Sequence, residues 1–193
     1  MAITTELQVV NTMLSAIGEA PVNTLEDSGM VEAAMARDLL KEVSVAVQKN
    51  GWHFNTEERL QLTPSYPVGE IHLPHNTLDV DSVYPDKDID VVLRGNRLYD
   101  RTNHSYEFDG AVKVDLVIYL PYSDLPESAA TYIKLRAARI FQERQLGTSE
   151  QSALTLRDET QAYSDLHGAD IDTADLNVGR DNHYMRNSTR RHQ

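Results

Sequence analysis

The stretch Ser28 to Asn55, SGMVEAAMARDLLKEVSVAVQKNGWHFN, changes its hydrophobic period once, and that change divides the chain. Val31, Met35, Leu39, Val43 and Val47 recur at every fourth residue, with Ala36, Leu40 and Ala46 beside them, so a wide stripe of helical period is apolar. Lys41, Glu42, Gln48 and Lys49 fall off that stripe. Asp27 or Ser28 can cap the start, and Asn50-Gly51 supplies a left-handed stop. Trp52 and Phe54 then alternate around His53, the period of a strand. Gly51 is therefore the expected hinge between a helical part and a β part. Trp52 is expected in the core, wedged between the two, and not as a platform for a ligand.

The flanking segments extend this division. Thr5 to Ile17 reads as a first helix, with Thr5 and Gln8 in a capping-box pattern and Leu7, Val10, Leu14 and Ile17 on one face. Gly18 and Pro21 end it, and the short link to Asp27 predicts an antiparallel hairpin with the second helix. From Asn55 to Pro121 the runs are short and extended: Arg59 to Leu62, Glu70 to Leu73 and Leu78 to Val83, punctuated by prolines. Gly95-Asn96 between Val91–Arg94 and Arg97–Tyr99 is a tight-hairpin signal. In Ala111 to Leu120 the apolar residues Val112, Val114, Leu116, Ile118 and Leu120 alternate, which predicts a strand with one wet face. Pro126 opens a third helix and Gly147 closes it, with Ile133 and Ile140 on its apolar face. Thr148 and Gln151 offer a cap for a fourth helix ending near His167, with Ala162 and Leu166 among its anchors.

The expected fold is α+β: an antiparallel helical bundle of about four helices (1–53 and 122–168) with an inserted antiparallel β-sheet region (54–121) and an extended C-terminal tail (169–193). Leu39, Val43, Trp52, Phe54, Ile133 and Ile140 are its expected core residues. The tail is too poor in apolar residues to fold alone, so order there needs a partner.

With no cysteine in 193 residues, disulfides and thiolate metal sites are excluded. Met1 to Ala20 carries no basic, continuously apolar leader, and no run approaches a membrane span, so a soluble protein assembled inside a cell is expected. The net charge of -12 speaks against general nucleic-acid binding, which needs Lys and Arg on phosphates. Residues 180–193 depart from it, with four arginines against one aspartate.

Nothing in the chain matches a nucleophile elbow, a phosphate loop, a dinucleotide fingerprint or a zincin helix, so no catalytic residue and no cofactor is expected. Glu70 and His72 share a strand face before His75, but no third ligand is indicated and no metal is expected. Carboxylate pairs such as Glu57-Glu58, Asp79/Asp81 and Asp86/Asp88 leave one alternative, a glycan-degrading enzyme working from the β region. Arg136, Arg139 and Arg144 of the third helix are expected to pair with neighbouring acidic helices. The tip with Arg186, Arg190 and Arg191 suits either a nucleic-acid arm or a docking peptide.

Four collinear runs add a family. Ala16-Ile17-Gly18-Glu19-Ala20-Pro21-Val22 with Thr24-Leu25-Glu26, then Gly51-Trp52-His53-Phe54-Asn55 with Glu57-Glu58, resemble the tail tubular protein A family of short-tailed, podovirus-type bacteriophages, the head-to-tail adaptors or gatekeepers. Leu98-Tyr99-Asp100-Arg101-Thr102 with Phe108-Asp109-Gly110, and Leu125-Pro126-Glu127 leading to Ala138-Arg139 and Phe141, resemble later segments of the same family. The resemblance implies a structural virion protein, assembled in the host cytoplasm. It implies a dodecameric ring of copies of itself below the portal protein, with the tail tubular protein B nozzle beneath and tail fibres or spikes at the junction. DNA would pass through the lumen without specific binding, and no membrane is involved. On this reading Arg180, Tyr184, Met185, Arg186, Arg190 and Arg191 are expected to grip the portal, and the loops carrying Asp86, Asp88, Arg101 and His104 to face nozzle or fibres.

Overall fold

A computed structural model describes residues 4–26, 29–83, 89–147 and 150–181. Four helices, α1 (Glu6–Ala16), α2 (Val31–Gln48), α3 (Glu127–Leu146) and α4 (Glu150–Asp181), enclose five strands in chain order. These are β1 (Thr56–Leu62), β2 (Thr77–Ser82), β3 (Val91–Arg94), β4 (Arg97–Asp100) and β5 (Val112–Ile118). The fold is α+β, with helices at both ends of the chain and antiparallel strands between them.

The helices start and stop for local reasons. Thr5 and Gln8 cap α1 reciprocally, the Gln8 N–H donating to Thr5 Oγ1 at 3.3 Å and the Thr5 N–H to Gln8 Oε1 at 2.9 Å. Asn11 then ties the following link back onto α1, donating to the Val22 carbonyl and accepting from its N–H. The helix α3 packs against α1, α2 and α4, so it is the spine of the bundle. Val9, Val10, Met13, Leu14, Leu39, Val43, Ile133 and Phe141 form the helical core, with Phe54 and Ile140 half-buried at its edge.

The apolar face of α2 differs from the expected stripe. Val31 and Met35 are 67% and 48% exposed, and Ala46 faces solvent as well. Ala33, Ala36, Leu39, Leu40, Val43, Ser44, Val47 and Gln48 are buried instead. A strict four-residue repeat drifts by roughly 40° per step on a 3.6-residue helix, so Val31 and Val47 cannot face the same core. Met30 occupies the N-cap, while Asp27 and Ser28 lie outside the described residues.

The strand β5 is the centre of a three-stranded sheet in the order β1-β5-β2, antiparallel throughout. Thr56 pairs with Val117 and Leu62 with Val112 on one side, and Thr77 with Ile118 and Ser82 with Val114 on the other. Val112, Val114 and Leu116 are buried in alternation, as the sequence pattern requires. The hairpin β3–β4 turns at Gly95-Asn96, and Glu70 to Leu73, expected as a strand, holds only single bridges from Glu70 to Glu107 and from His72 to Arg97. Ile71, Leu73, Val80, Val91, Leu98 and Phe108 join β5 in a second apolar cluster.

Where the two clusters meet, Trp52 to Asn55 is not extended: His53–Asn55 is a single 3₁₀ turn, and the strand starts at Thr56. Asn55 imposes the turn. Its Oδ1 accepts from the Trp52 N–H at 2.9 Å, and its Nδ2 donates to the carbonyls of Gln48 (2.9 Å) and Ile118 (2.8 Å). Gln48, placed off the apolar stripe by its polarity, is fully buried and completes the joint. Its Oε1 accepts from the Leu120 N–H at 2.7 Å, and its Nε2 donates to the Leu120 carbonyl and to Ser44 Oγ, each at 3.0 Å. Gly51 has φ +71°, and a Cβ there would lie 3.2 Å from Val117 Cγ2, so both backbone and space require glycine.

Trp52 sits on the helical side of this joint. Its Nε1 donates to the Val47 carbonyl at 2.7 Å, and its ring meets Tyr163 and His167 of α4 edge-on, with centroids 6.3 Å away in each case. It is buried under α4, and the polar pair Gln48 and Asn55, not the indole, bridges bundle and sheet.

The last helix runs beyond the end expected near His167. Gly168 is tolerated inside a helix at roughly 1 kcal/mol relative to alanine, and no proline follows Pro126. The turn after Gly168 is held by Asp170, which accepts the His53 N–H at 2.7 Å. Residues 169–181 are therefore helical, and 182–193 lie outside the described residues.

Replacing Asn55 by Ala leaves the Trp52 N–H and the Ile118 carbonyl without that partner in a buried place. The expected loss is about 1–3 kcal/mol of unfolding free energy, read from urea melts of the variant against the parent chain.

Candidate functional site

The tip of the β3–β4 hairpin sets two like charges opposite each other, since Arg94 pairs with Arg97 across the turn. Like charges in that position repel unless each finds other partners. Two tyrosines supply them. Arg94 Cζ lies 3.6 Å from the centre of the Tyr99 ring, and Arg97 Cζ lies 4.2 Å from that of Tyr106. The two rings meet edge to face at 4.9 Å, which joins the two cation-on-ring stacks into one cluster of four side chains. Arg97 also binds Glu70 Oε1 at 2.7 Å, and Glu70 Oε2 stands 3.4 Å from His72 Nε2.

The loop after β4 is organised by Asp100, which is buried. Its Oδ1 accepts the N–H groups of Thr102 (2.7 Å) and Asn103 (3.0 Å), and its Oδ2 accepts from Asn103 Nδ2 (2.8 Å). Burial by itself raises the Asp100 pKa, but the backbone and side chain of Asn103 and the backbone of Thr102 outweigh it, and the net shift is downward. Asp100 and Ser105 exchange backbone hydrogen bonds, which closes the loop and leaves His104 at φ +54°. Arg101 binds Asp90 Oδ2 at 3.2 Å.

A shallow cleft of about 200 Å³ results, lined by Asp90, Arg94, Tyr99, Arg101, Thr102 and His104. Arg101 and His104, singled out in the sequence, are thus brought together. Asp86 and Asp88, named with them, lie outside the described residues. Arg94 and Tyr99 complete the cleft and were not singled out, although Arg-Gly-Asn-Arg at a hairpin turn does place two cations opposite each other. Of the expected portal-gripping set, Arg180 falls in the last turn of α4, and Tyr184, Met185, Arg186, Arg190 and Arg191 lie outside the described residues.

The remaining charged candidates fall in other surroundings. Glu57 and Glu58 are exposed on β1 at an irregularity between Glu57 and Leu60, without the enclosure that tunes a glycosidase acid. Glu70 and His72 meet, but the described residues include no group of three or more His, Cys, Asp or Glu side chains arranged for a metal ion. The arginines of α3 pair with acidic neighbours: Arg136 and Arg139 converge on the buried Glu159 of α4, Arg139 also binds Glu143 at 2.8 Å, and Arg144 binds Glu42 of α2 at 3.2 Å. The bond with Glu159 is the main cause holding the Arg139 pKa above its ordinary value.

Helices at both chain ends around a sheet entered at Gly51-Trp52 and left at Pro121 are the arrangement expected from the change of period along the sequence. A family model of tail tubular proteins matches residues 7–176. The chain belongs to the tail tubular protein family. It is also 34% identical over 128 residues to Tail tubular protein A of Klebsiella phage KP34, a match covering 66% of this chain and 66% of that protein. This tail tubular protein is accordingly a structural component of a phage tail. The matched region takes in the joint at Asn55, the hairpin stack and the part of α4 held by Glu159.

Asp100 gives the loop of this tail tubular protein a defined acid response. Its folded pKa is depressed, so its contribution to stability is complete above the unfolded carboxylate value of about 3.9 and is lost as pH falls through the lower folded value. The stability gap between the parent and Asp100→Asn should therefore hold between about pH 6 and about pH 5 and narrow as the pH falls through about 3.9 and below. Urea melts across that range check it, and a constant gap would show that the ionised carboxylate contributes nothing.

Proposed function

We propose that this tail tubular protein is the head-to-tail adaptor: a ring of identical subunits, twelve by the family resemblance, placed between portal protein and tail nozzle. The observation that carries the reading is the family match across residues 7–176. Two features of the fold agree with it. A ring closes through two different surfaces on each subunit. Val31 and Met35 on α2 and Leu156, Tyr163 and Ile171 on α4 leave apolar side chains exposed on two helices that both pack on α3. The second feature is charge. A net charge of -12 suits a lumen through which DNA passes without being gripped.

In this assignment the C-terminal segment, from Arg180 through Tyr184, Met185, Arg186, Arg190 and Arg191, binds the portal. The β region, with the loops of Asp86, Asp88, Arg101 and His104, turns toward the nozzle, tail tubular protein B, and toward a fibre or spike. The protein then works by assembly and passage, without catalysis, after assembling in the host cytoplasm. The exposed position of Glu57 and Glu58 gives the glycan-degrading alternative no support.

The test is a chain ending at Asp181. It should melt with the cooperativity of the parent and fail to sediment with portal rings, where the full chain does sediment. Portal binding at full affinity by the shortened chain would remove the tail from the contact.

A further inference from the structure

The hairpin stack holds two arginines in matching positions on two tyrosines, yet only one has an anion. Arg97 lies over Tyr106 and binds Glu70 at 2.7 Å. Arg94 lies over Tyr99 at 3.6 Å, and among the described residues no carboxylate or hydrogen-bond acceptor takes its N–H groups. The ring covers one face of the guanidinium and leaves the fork of N–H donors at its edge open. Tyr99 is itself buried, so the fork stands on a fixed base. A guanidinium held in this way is an oxyanion receptor prepared before binding.

We propose that Arg94 is the receptor for a single carboxylate side chain, an Asp or Glu in a docking segment of another tail protein, which enters the cleft beside Arg101 and His104. The identity of the partner rests on the adaptor reading; the chemistry of the site does not. Arg101 is already paired with Asp90, so the uncompensated positive charge among the arginines of the cleft is the single one on Arg94. A monoanion matches that charge. A phosphate monoester, carrying more negative charge, would meet Asp90 in the cleft, and a DNA strand would bring a row of phosphates against a chain whose net charge is -12. The volume of about 200 Å³ admits one such head group with part of its side chain.

The probe is a fluorescein-labelled Gly-Ser-Glu-Ser-Gly amide, with one carboxylate side chain, followed by fluorescence anisotropy with the full chain, beside a labelled 12-nucleotide DNA strand. The acidic peptide should bind saturably. Arg94→Lys, which keeps the charge and loses the fork, should weaken it roughly tenfold, and Arg94→Gln should abolish it. Lys41→Gln, a charge change on α2, should leave it unchanged, and it shows that a folded variant still binds. Equal affinity in Arg94→Lys and the parent would overturn the proposal. So would an Arg94-dependent DNA affinity matching that of the peptide, which would make the site a phosphate receptor. A gain in peptide affinity in Asp86→Asn/Asp88→Asn would overturn it too, by showing that this chain's own loop fills the fork. Peptide binding is read without any ring or partner, so its failure leaves the adaptor reading standing. A chain that binds the peptide but never assembles with portal or nozzle overturns the adaptor reading alone.

Discussion

Inserting a sheet into a helical bundle forces the chain to leave and re-enter the bundle at one place, and the backbone groups there cannot all be satisfied by helix or ladder. Asn55 and Gln48 satisfy them. Between them the two side chains hold the end of α2, the 3₁₀ turn, the end of β5 and Leu120, using five hydrogen bonds to backbone groups. Buried amides that left any of these groups unpaired would each cost about 1–3 kcal/mol. The pairing of Thr56 with Val117 begins one residue past this clasp, so the register of the central strand depends on it. Everything the β region presents to a partner is aimed from that register.

The same logic of fixed attachment applies at the far side of the bundle. Along α4 the residues with described burial include few apolar anchors, Ala162 and Leu166 chief among them. Its position on α3 therefore relies on the buried Glu159 between Arg136 and Arg139, and on Tyr163 and His167 against Trp52. A buried carboxylate held by two guanidiniums is demanding in geometry: removing one side of such a group leaves a charge without compensation. It fixes the register of α4 along α3 more sharply than a few small apolar side chains would. With that register set, Asp170 reaches the His53 N–H, and the end of α4 is carried past the joint.

How far the sequence discloses this depends on whether a residue acts through its neighbours in the chain or through distant ones. Thr5 and Gln8, the Gly95-Asn96 turn and the alternation of Val112, Val114 and Leu116 act locally, and each has its expected structure. Gln48 is polar at the end of an amphipathic helix and reads as solvent-facing; only the arrival of Leu120, 72 residues later, makes a buried place for it. Trp52, His53 and Phe54 alternate like a strand, but the side chain of Asn55 closes a turn over them. Gly168 reads as a helix end because its cost is local, while the bond from His53 to Asp170 that offsets it spans 117 residues. For the candidate site, Arg101 and His104 were legible as a charged loop. Arg94 was not, because its significance lies in lacking what Arg97 has.

That contrast bears on how an acidic protein can be specific. Most arginines in the described ion pairs are engaged inside the subunit: Arg136, Arg139 and Arg144 hold helices together, Arg97 holds the loop of Glu70, and Arg101 holds Asp90. On a surface of this charge an exposed lysine would attract any anion weakly, and salt would screen it. A guanidinium set on an aromatic face differs in kind, because its donors are few in orientation and already in place. In the proposed adaptor the body of the protein would repel the phosphates of passing DNA while one cleft distinguishes a partner's carboxylate. On the proposed reading, repulsion from nucleic acid and recognition of a protein come from the same distribution of charge, separated only by the geometry of one hairpin.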